Sequence, residues 1–264
     1  MRIGFIGAGN MGGALAQAIN NVSGANVVIS THNIEKARAL QNKIGCEIAT
    51  NSEIAKTSNF LFIGVKPKAI GDLYSEIMGE LAMNGNAVIV SMLAGVTLSQ
   101  LEELFGERAI IRIMPNTPVA VGKGATVWCA NSLVNEGNKA VFNNLMAYTG
   151  LVEEIKEDIL NACLAVSGCG PAFAYKFIGS MITAGEELGL SYEQAKRLAV
   201  QTVIGSAEMV KDSAKSTNEL CQNVCSPGGA TIEGVKVLND SSFDETVVNA
   251  IKASHVKSEL MQKR

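Results

Sequence analysis

The chain has 264 residues, of which 47% are apolar, 18% charged and 5% aromatic, with a formal net charge of −3. That length fits one large domain or two modest ones, and the balance of apolar to charged residues argues against a disordered chain or an electrostatic binder of nucleic acid. With 26 glycines against 5 prolines, tight turns and close packing in a compact α/β protein are favoured over a β-sandwich. In chain order, β-branched or apolar runs over residues 2–6, 26–30, 60–65, 87–92 and 109–114 predict strands. Apolar residues recur at helical spacing over 14–20, 34–44, 69–78 and 98–105 between them, the rhythm of βαβ units building a parallel sheet. Residues 47–49 add a short strand. The run 124–130, the helical stretch 136–148 and the short run 151–155 extend the sheet. From residue 159 onward the pattern is helical, over 159–167, 172–188, 192–211, 217–224, 231–238 and 243–261. The expected fold is an N-terminal Rossmann-type doubly wound sheet in residues 1–157, followed by an all-helical domain in residues 158–264.

Six cysteines without a CxxC pair, and only two histidines, predict reduced thiols and no metal site. The apolar N-terminus Met1-Arg2-Ile3-Gly4-Phe5-Ile6 is too short for a signal peptide. The most membrane-like stretch, 162–184, is interrupted by Gly168-Cys169-Gly170-Pro171 and carries Lys176. These features together predict a cytoplasmic protein with no membrane or nucleic-acid partner.

Gly7-Ala8-Gly9-Asn10-Met11-Gly12 follows the first strand directly and opens a helix, the context a dinucleotide fingerprint requires. Gly7 permits the tight turn, Gly9 lets a pyrophosphate approach the backbone, and Gly12 lets helix and strand pack closely. An NAD site would place Asp or Glu at the end of the second strand, where this chain has Ser30-Thr31-His32-Asn33. Hydroxyl, amide and imidazole groups there can donate to a 2′-phosphate, so NADPH is expected, with NADH as the alternative.

Val65-Lys66-Pro67, Met114-Pro115-Asn116-Thr117-Pro118 and Ser226-Pro227-Gly228-Gly229-Ala230-Thr231, with Gly168-Cys169-Gly170-Pro171-Ala172, closely resemble the pyrroline-5-carboxylate reductases along essentially the whole chain. The resemblance implies a Rossmann domain joined to a helical dimerisation domain, a homo-oligomer built from dimers, and reduction of Δ1-pyrroline-5-carboxylate to L-proline. It carries cofactor contacts onto Ile6, Gly7, Ala8, Gly9, Asn10, Met11, Ser30, Thr31, His32, Asn33, Asn51, Val65, Lys66, Pro67, Ala94, Gly95 and Asn223, and substrate contacts onto Ser226, Gly228, Gly229, Ala230 and Thr231. Asn116, in a rigid loop at the carboxyl edge of the sheet, is expected to line the nicotinamide pocket.

A cyclic imine bearing a carboxylate needs an anion pocket and a hydride donor. The Ser226 to Thr231 turn offers backbone N–H groups and a hydroxyl at a helix N-terminus, and Thr231 is the candidate catalytic residue, holding the ring nitrogen. The chain departs from the family pattern at Cys169, where serine is usual, and at Ala230, where threonine is frequent. A reductase of another cyclic imine, a related oxidoreductase and a silent dinucleotide-binding regulator are the rival readings.

Overall fold

The computed structural model describes residues 1–262. They form two compact units: Met1–Cys169 together with the chain from Ser254 on, and Gly170–Ala253.

The first unit carries, among the described residues, an eight-stranded sheet of order β3-β2-β1-β4-β5-β6-β7-β8. Its strands are β1 Arg2–Ile6, β2 Asn26–Ser30, β3 Glu47–Ile48, β4 Phe60–Ile63, β5 Val88–Ser91, β6 Ile110–Pro115, β7 Gly124–Ala130 and β8 Gly150–Glu154. The helices of this unit are α1 Asn10–Ile19, α2 Ile34–Ile44, α3 Asn51–Thr57, α4 Ile70–Met83, α5 Leu98–Phe105, α6 Glu136–Leu145 and α7 Leu160–Cys163. Strands β1 to β6 run parallel and β7 antiparallel to β6, because only a 3₁₀ turn at Thr117–Val121 joins those two, too little chain for a parallel crossover. The central strands are buried along their length on both faces, as parallel strands covered by helices must be. One core layer holds Phe5 stacked on Phe62 at 4.6 Å and Trp128 edge-on to Phe142. The other holds Ile6, Leu61, Ile77 and Leu101.

Sequence periodicity and structure differ at several places; α4, for one, runs on to Met83 where the expected helix ended at residue 78. Helix α1 starts at Asn10, immediately after the glycine turn, instead of at residue 14, because Gly12 and Gly13 dilute the apolar signal without preventing helix. Helix α3 was not expected; seven residues are too few for a periodic signal, and it is started by a Thr50–Glu53 capping box. The stretch expected as one helix over 159–167 is a single turn, α7, followed by a π turn at Leu164–Gly168 that the Cys169 N–H closes on the Leu164 carbonyl at 2.9 Å.

An ion pair joins buried Arg112 to half-buried Glu157 in this unit. Arg112 on β6 is 1% exposed and donates from Nη1 to Glu157 Oε1 at 2.6 Å. The same carboxylate oxygen accepts the Leu98 N–H at the start of α5. Cys129 lies opposite Arg112 on β7; burial, reinforced by the Glu157 charge, pushes its thiol up to about 12 against the opposing pull of Arg112. A thiol raised above its unfolded value stabilises the fold fully below pH 9, and that contribution is lost as pH rises from about 9 through about 12. The urea midpoint is therefore expected to fall on the alkaline side less steeply in Cys129→Val than in the parent, and equal slopes would rule this out. At pH 8 a thiol reagent should label exposed Cys221 quickly and leave Cys129 untouched until the protein is unfolded.

The second unit contains α8 Gly170–Glu187, α9 Tyr192–Asp212, α10 Thr217–Val224, α11 Ala230–Asp240 and the first part of α12 Phe243–Gln262. Capping boxes at Ser191–Gln194 and Ser216–Glu219 start α9 and α10. Helices α8 and α9 pack closely where Gly185 meets Ala195: a Cβ on Gly185 would sit 2.8 Å from that of Ala195. Helices α8, α10 and α11 hold no buried residue. Within the first unit, Ser258 near the end of α12 donates to Asn161 Oδ1 at 2.7 Å. The longest helices are not apolar enough to cross a membrane among the described residues.

Candidate active site

At the carboxyl ends of β1, β2 and β4 the first unit opens a cavity of about 630 Å³, where a doubly wound sheet binds its ligand. Its floor is the glycine turn. Gly7 adopts φ +86°, and a Cβ there would lie 2.7 Å from the Gly64 carbonyl carbon, so β1 and β4 meet backbone to backbone. A Cβ on Gly12 would strike the Gly7 carbonyl at 2.9 Å, whereas one on Gly9 would meet nothing closer than the Gly7 carbonyl at 4.0 Å. The Gly7 and Ala8 N–H groups both donate to the Ser30 carbonyl, tying the turn to the end of β2. Helix α1 begins at Gly9 without a side-chain cap, which leaves its N-terminal amides for an anion.

Of the candidate cofactor residues, Ile6, Gly7, Gly9, Ser30, Thr31, His32, Asn51, Val65 and Lys66 line this cavity. Pro67 starts the 3₁₀ turn that brings Lys68 and Ala69 to its wall. Ala8 and Asn10 line a separate cavity of about 310 Å³ behind the turn, together with Lys36 and Lys43 of α2. Met11 packs against the core. The Asn33 side chain caps α2 by accepting the Lys36 N–H at 2.9 Å. Ala94 packs with Met114, Cys129 and Leu160, and Gly95, at φ +81°, would place a Cβ 3.1 Å from the Met261 carbonyl. Neither lines the cavity. Asn116 does not line it either; its amide is spent inside the fold, donating to the Ser167 carbonyl and accepting the Ala125 N–H.

Residue-by-residue reading missed Ala49, Thr50, Gly64, Lys68, Ala69 and Glu76, which also line the cavity. Gly64 was recoverable, because a glycine turn that packs on the next strand needs a small residue opposite Gly7. Glu76 was not, since it comes from the middle of α4 and reaches the site only through the fold.

In the second unit, Asn223 lies in the last turn of α10 and the Ser226 to Thr231 segment opens α11. Gly228 turns at φ +73°, and the Gly229 N–H donates to the Ser226 carbonyl at 2.9 Å. A Cβ on Gly229 would lie 2.6 Å from Ser226 Oγ, so glycine is what lets that hydroxyl rest over the start of α11. No side chain caps this helix. Ala230 and Thr231 form its exposed first turn, and the turn offers N–H groups and two hydroxyls to an anionic ligand.

The sheet order, the glycine turn at the end of β1 and the uncapped α1 define a Rossmann-class dinucleotide-binding fold, and the residues present fit such a cofactor: the space a Gly9 Cβ would take is open. Comparison with known proteins narrows this class. A family model described as pyrroline-5-carboxylate reductase dimerisation matches residues 157–261, and one described as NADP oxidoreductase, coenzyme F420-dependent, matches residues 2–95. Pyrroline-5-carboxylate reductase of Aquifex aeolicus is 35% identical over 98% of this chain and 96% of its own. The Escherichia coli protein of the same name is 37% identical over 99% and 98%. The crystal structure of Plasmodium falciparum pyrroline carboxylate reductase with NADP bound superposes with a TM-score of 0.88 at 36% identity, covering 99% of this chain and 98% of that one. The chain belongs to the pyrroline-5-carboxylate reductase family.

Proposed function

We propose that this protein reduces Δ1-pyrroline-5-carboxylate to L-proline, with NADPH as the expected hydride donor and NADH as the alternative. Residues 1–157, which lie within the sheet unit, are assigned to the cofactor, and residues 158–264 to substrate recognition and subunit association; the compact sheet unit itself runs on to Cys169 and takes in the chain from Ser254. The reading rests most on the Ser226 to Thr231 turn, whose exposed hydroxyls and uncapped helix start suit a small carboxylate. The solved Plasmodium relative with NADP bound supports the choice of cofactor.

When bound, the nicotinamide supplies the hydride. The chain's own residues bind and orient. Backbone N–H groups at the uncapped start of α1 take the pyrophosphate, and Ser30, Thr31, His32 and Asn51 take the adenosine end. Val65, Lys66 and Pro67 bound the cofactor further along, with Ala94, Gly95 and Asn223 as outer contacts. Asn116 acts as a brace, joining β7 to the π turn through its two amide hydrogen bonds. Ser226, Gly228, Gly229 and Ala230 hold the substrate carboxylate, and the Thr231 hydroxyl orients the ring nitrogen and holds the proton delivered there. An iminium accepts hydride readily, so orientation carries most of the catalysis. Exposed Tyr175, Phe177, Leu198, Ile204, Val237 and Val248 on the helices support a homo-oligomer built from dimers through this region. Six free thiols support a cytoplasmic setting.

The test follows NADPH absorbance with pyrroline-5-carboxylate, and then with NADH and with the isomer pyrroline-2-carboxylate. Oxidation with the first imine only is expected. Thr231→Ala should then lower kcat/KM about tenfold with the melting temperature unchanged. A fully active Thr231→Ala removes the role of that residue, and a parent protein inert toward the imine removes the substrate.

A further inference from the structure

Glu76 on α4 lines the cofactor cavity, yet no acidic side chain stands at the end of β2. Its two carboxylate oxygens accept from Asn51 Nδ2 at 3.1 and 2.9 Å. A carboxylate cannot donate, so the amide NH₂ of Asn51 must face Glu76 and its carbonyl must face away. That carbonyl accepts the Ser30 hydroxyl at 2.5 Å. The chain of bonds thus has one direction, from Ser30 through Asn51 to Glu76.

The direction has a chemical consequence at the end of β2, where the adenosine ribose of a Rossmann-bound dinucleotide lies. The Ser30 proton and one Asn51 N–H are spent inside the network, which leaves the second Asn51 N–H as its one further donor. What Ser30 and Glu76 present to the cavity is lone pairs, which suit a ribose hydroxyl and oppose a phosphate. No cation lies within salt-bridge reach of Glu76 among the described residues, although Lys66 and Lys68 line the same cavity. Donors for a 2′-phosphate come instead from Thr31, His32, Thr50, Lys66 and Lys68 on the cavity wall, whereas Lys36 lines the separate cavity and donates to Asn10.

We infer that Glu76 sets cofactor discrimination here: its carboxylate, held on the cavity wall by Asn51, favours a free 2′-hydroxyl over a 2′-phosphate and so keeps NADH usable beside NADPH. This takes over from α4 the task that an acidic residue at the end of β2 performs in an NAD site. It rests on the reading of the cavity as a nicotinamide-cofactor site.

The test measures equilibrium affinity in the full chain for NADPH and NADH by fluorescence titration, and for adenosine 2′,5′-bisphosphate and AMP by calorimetry. In Glu76→Gln the amide oxygen still accepts from Asn51 while the charge is gone. NADPH and the bisphosphate are expected to tighten roughly fivefold, less at high salt, with NADH and AMP unchanged. Glu76→Ala, which also releases Asn51, should weaken NADH and AMP. If Glu76→Gln shifts all four ligands alike or shifts none, Glu76 only holds Asn51 and the inference is overturned. A parent protein that binds both dinucleotides and reduces no imine overturns the substrate assignment and leaves this test intact; one that binds neither overturns both.

Discussion

Glu157→Ala is expected to destabilise the protein by about 3 kcal/mol and to lower its melting temperature by roughly 6–12 °C. Arg112 is buried in the middle of β6, and Glu157 is its ion-pair partner at 2.6 Å. Its Nε and Nη2 atoms are buried without a hydrogen-bond partner among the described residues, so removing the carboxylate leaves the guanidinium with no hydrogen-bonded partner there. The same substitution frees the Leu98 N–H at the start of α5, which Glu157 Oε1 accepts at 2.7 Å. Glu157→Gln keeps an acceptor for both donors and should lose less. Arg112→Met combined with Glu157→Ala should be more stable than Glu157→Ala alone, because the uncompensated charge is removed with its partner. Losses that simply add across the two sites would show that the pair does not act as a unit.

This pair marks where the sequence stopped being legible. Arg112 stands in the run Ile110-Ile111-Arg112-Ile113-Met114, and the apolar pattern identifies a buried strand without saying what meets the one charge in it. Its partner is 45 residues away, in a short 3₁₀ turn that no periodicity marks. By contrast, β1, β2, α2, α5, β7 and α10 match the ranges read from the sequence, because each combines a full period of apolar residues with a cap, a glycine or a turn at its ends. The site divides in the same way. The glycine turn and the Ser226 to Thr231 segment are contiguous words whose meaning is local: a positive φ, a missing Cβ, a free helix start. Glu76 belongs to the cavity only because α4 packs against α3, whose Asn51 it meets. Asn116 illustrates the opposite case. Its place at the carboxyl edge of the sheet was legible, but the two internal bonds that occupy its amide depend on the π turn at Leu164–Gly168.

The glycine turn allows stability and binding to be separated by two neighbouring substitutions. Gly9→Ala is expected to leave the melting temperature within about 2 °C of the parent while weakening dinucleotide binding about a hundredfold. Gly9 caps α1 at φ −75°, a value open to any residue, and its Cβ would have 4.0 Å of clearance from the nearest backbone atom. The added methyl therefore costs the fold little. It stands instead in the space that the cofactor pyrophosphate needs, since Gly9 lines the cavity under which the free amides of α1 begin. Gly7→Ala should damage both properties. Its φ of +86° is strained for any side chain, and the new Cβ would stand 2.7 Å from the Gly64 carbonyl carbon and 2.8 Å from the Val65 nitrogen, backbone atoms that cannot turn aside. Melting curves and fluorescence titration of both variants decide the matter. Loss of binding in Gly9→Ala with an unchanged melting curve assigns the open face of the turn to the pyrophosphate, whereas undiminished affinity would mean that the cofactor does not approach the backbone at Gly9.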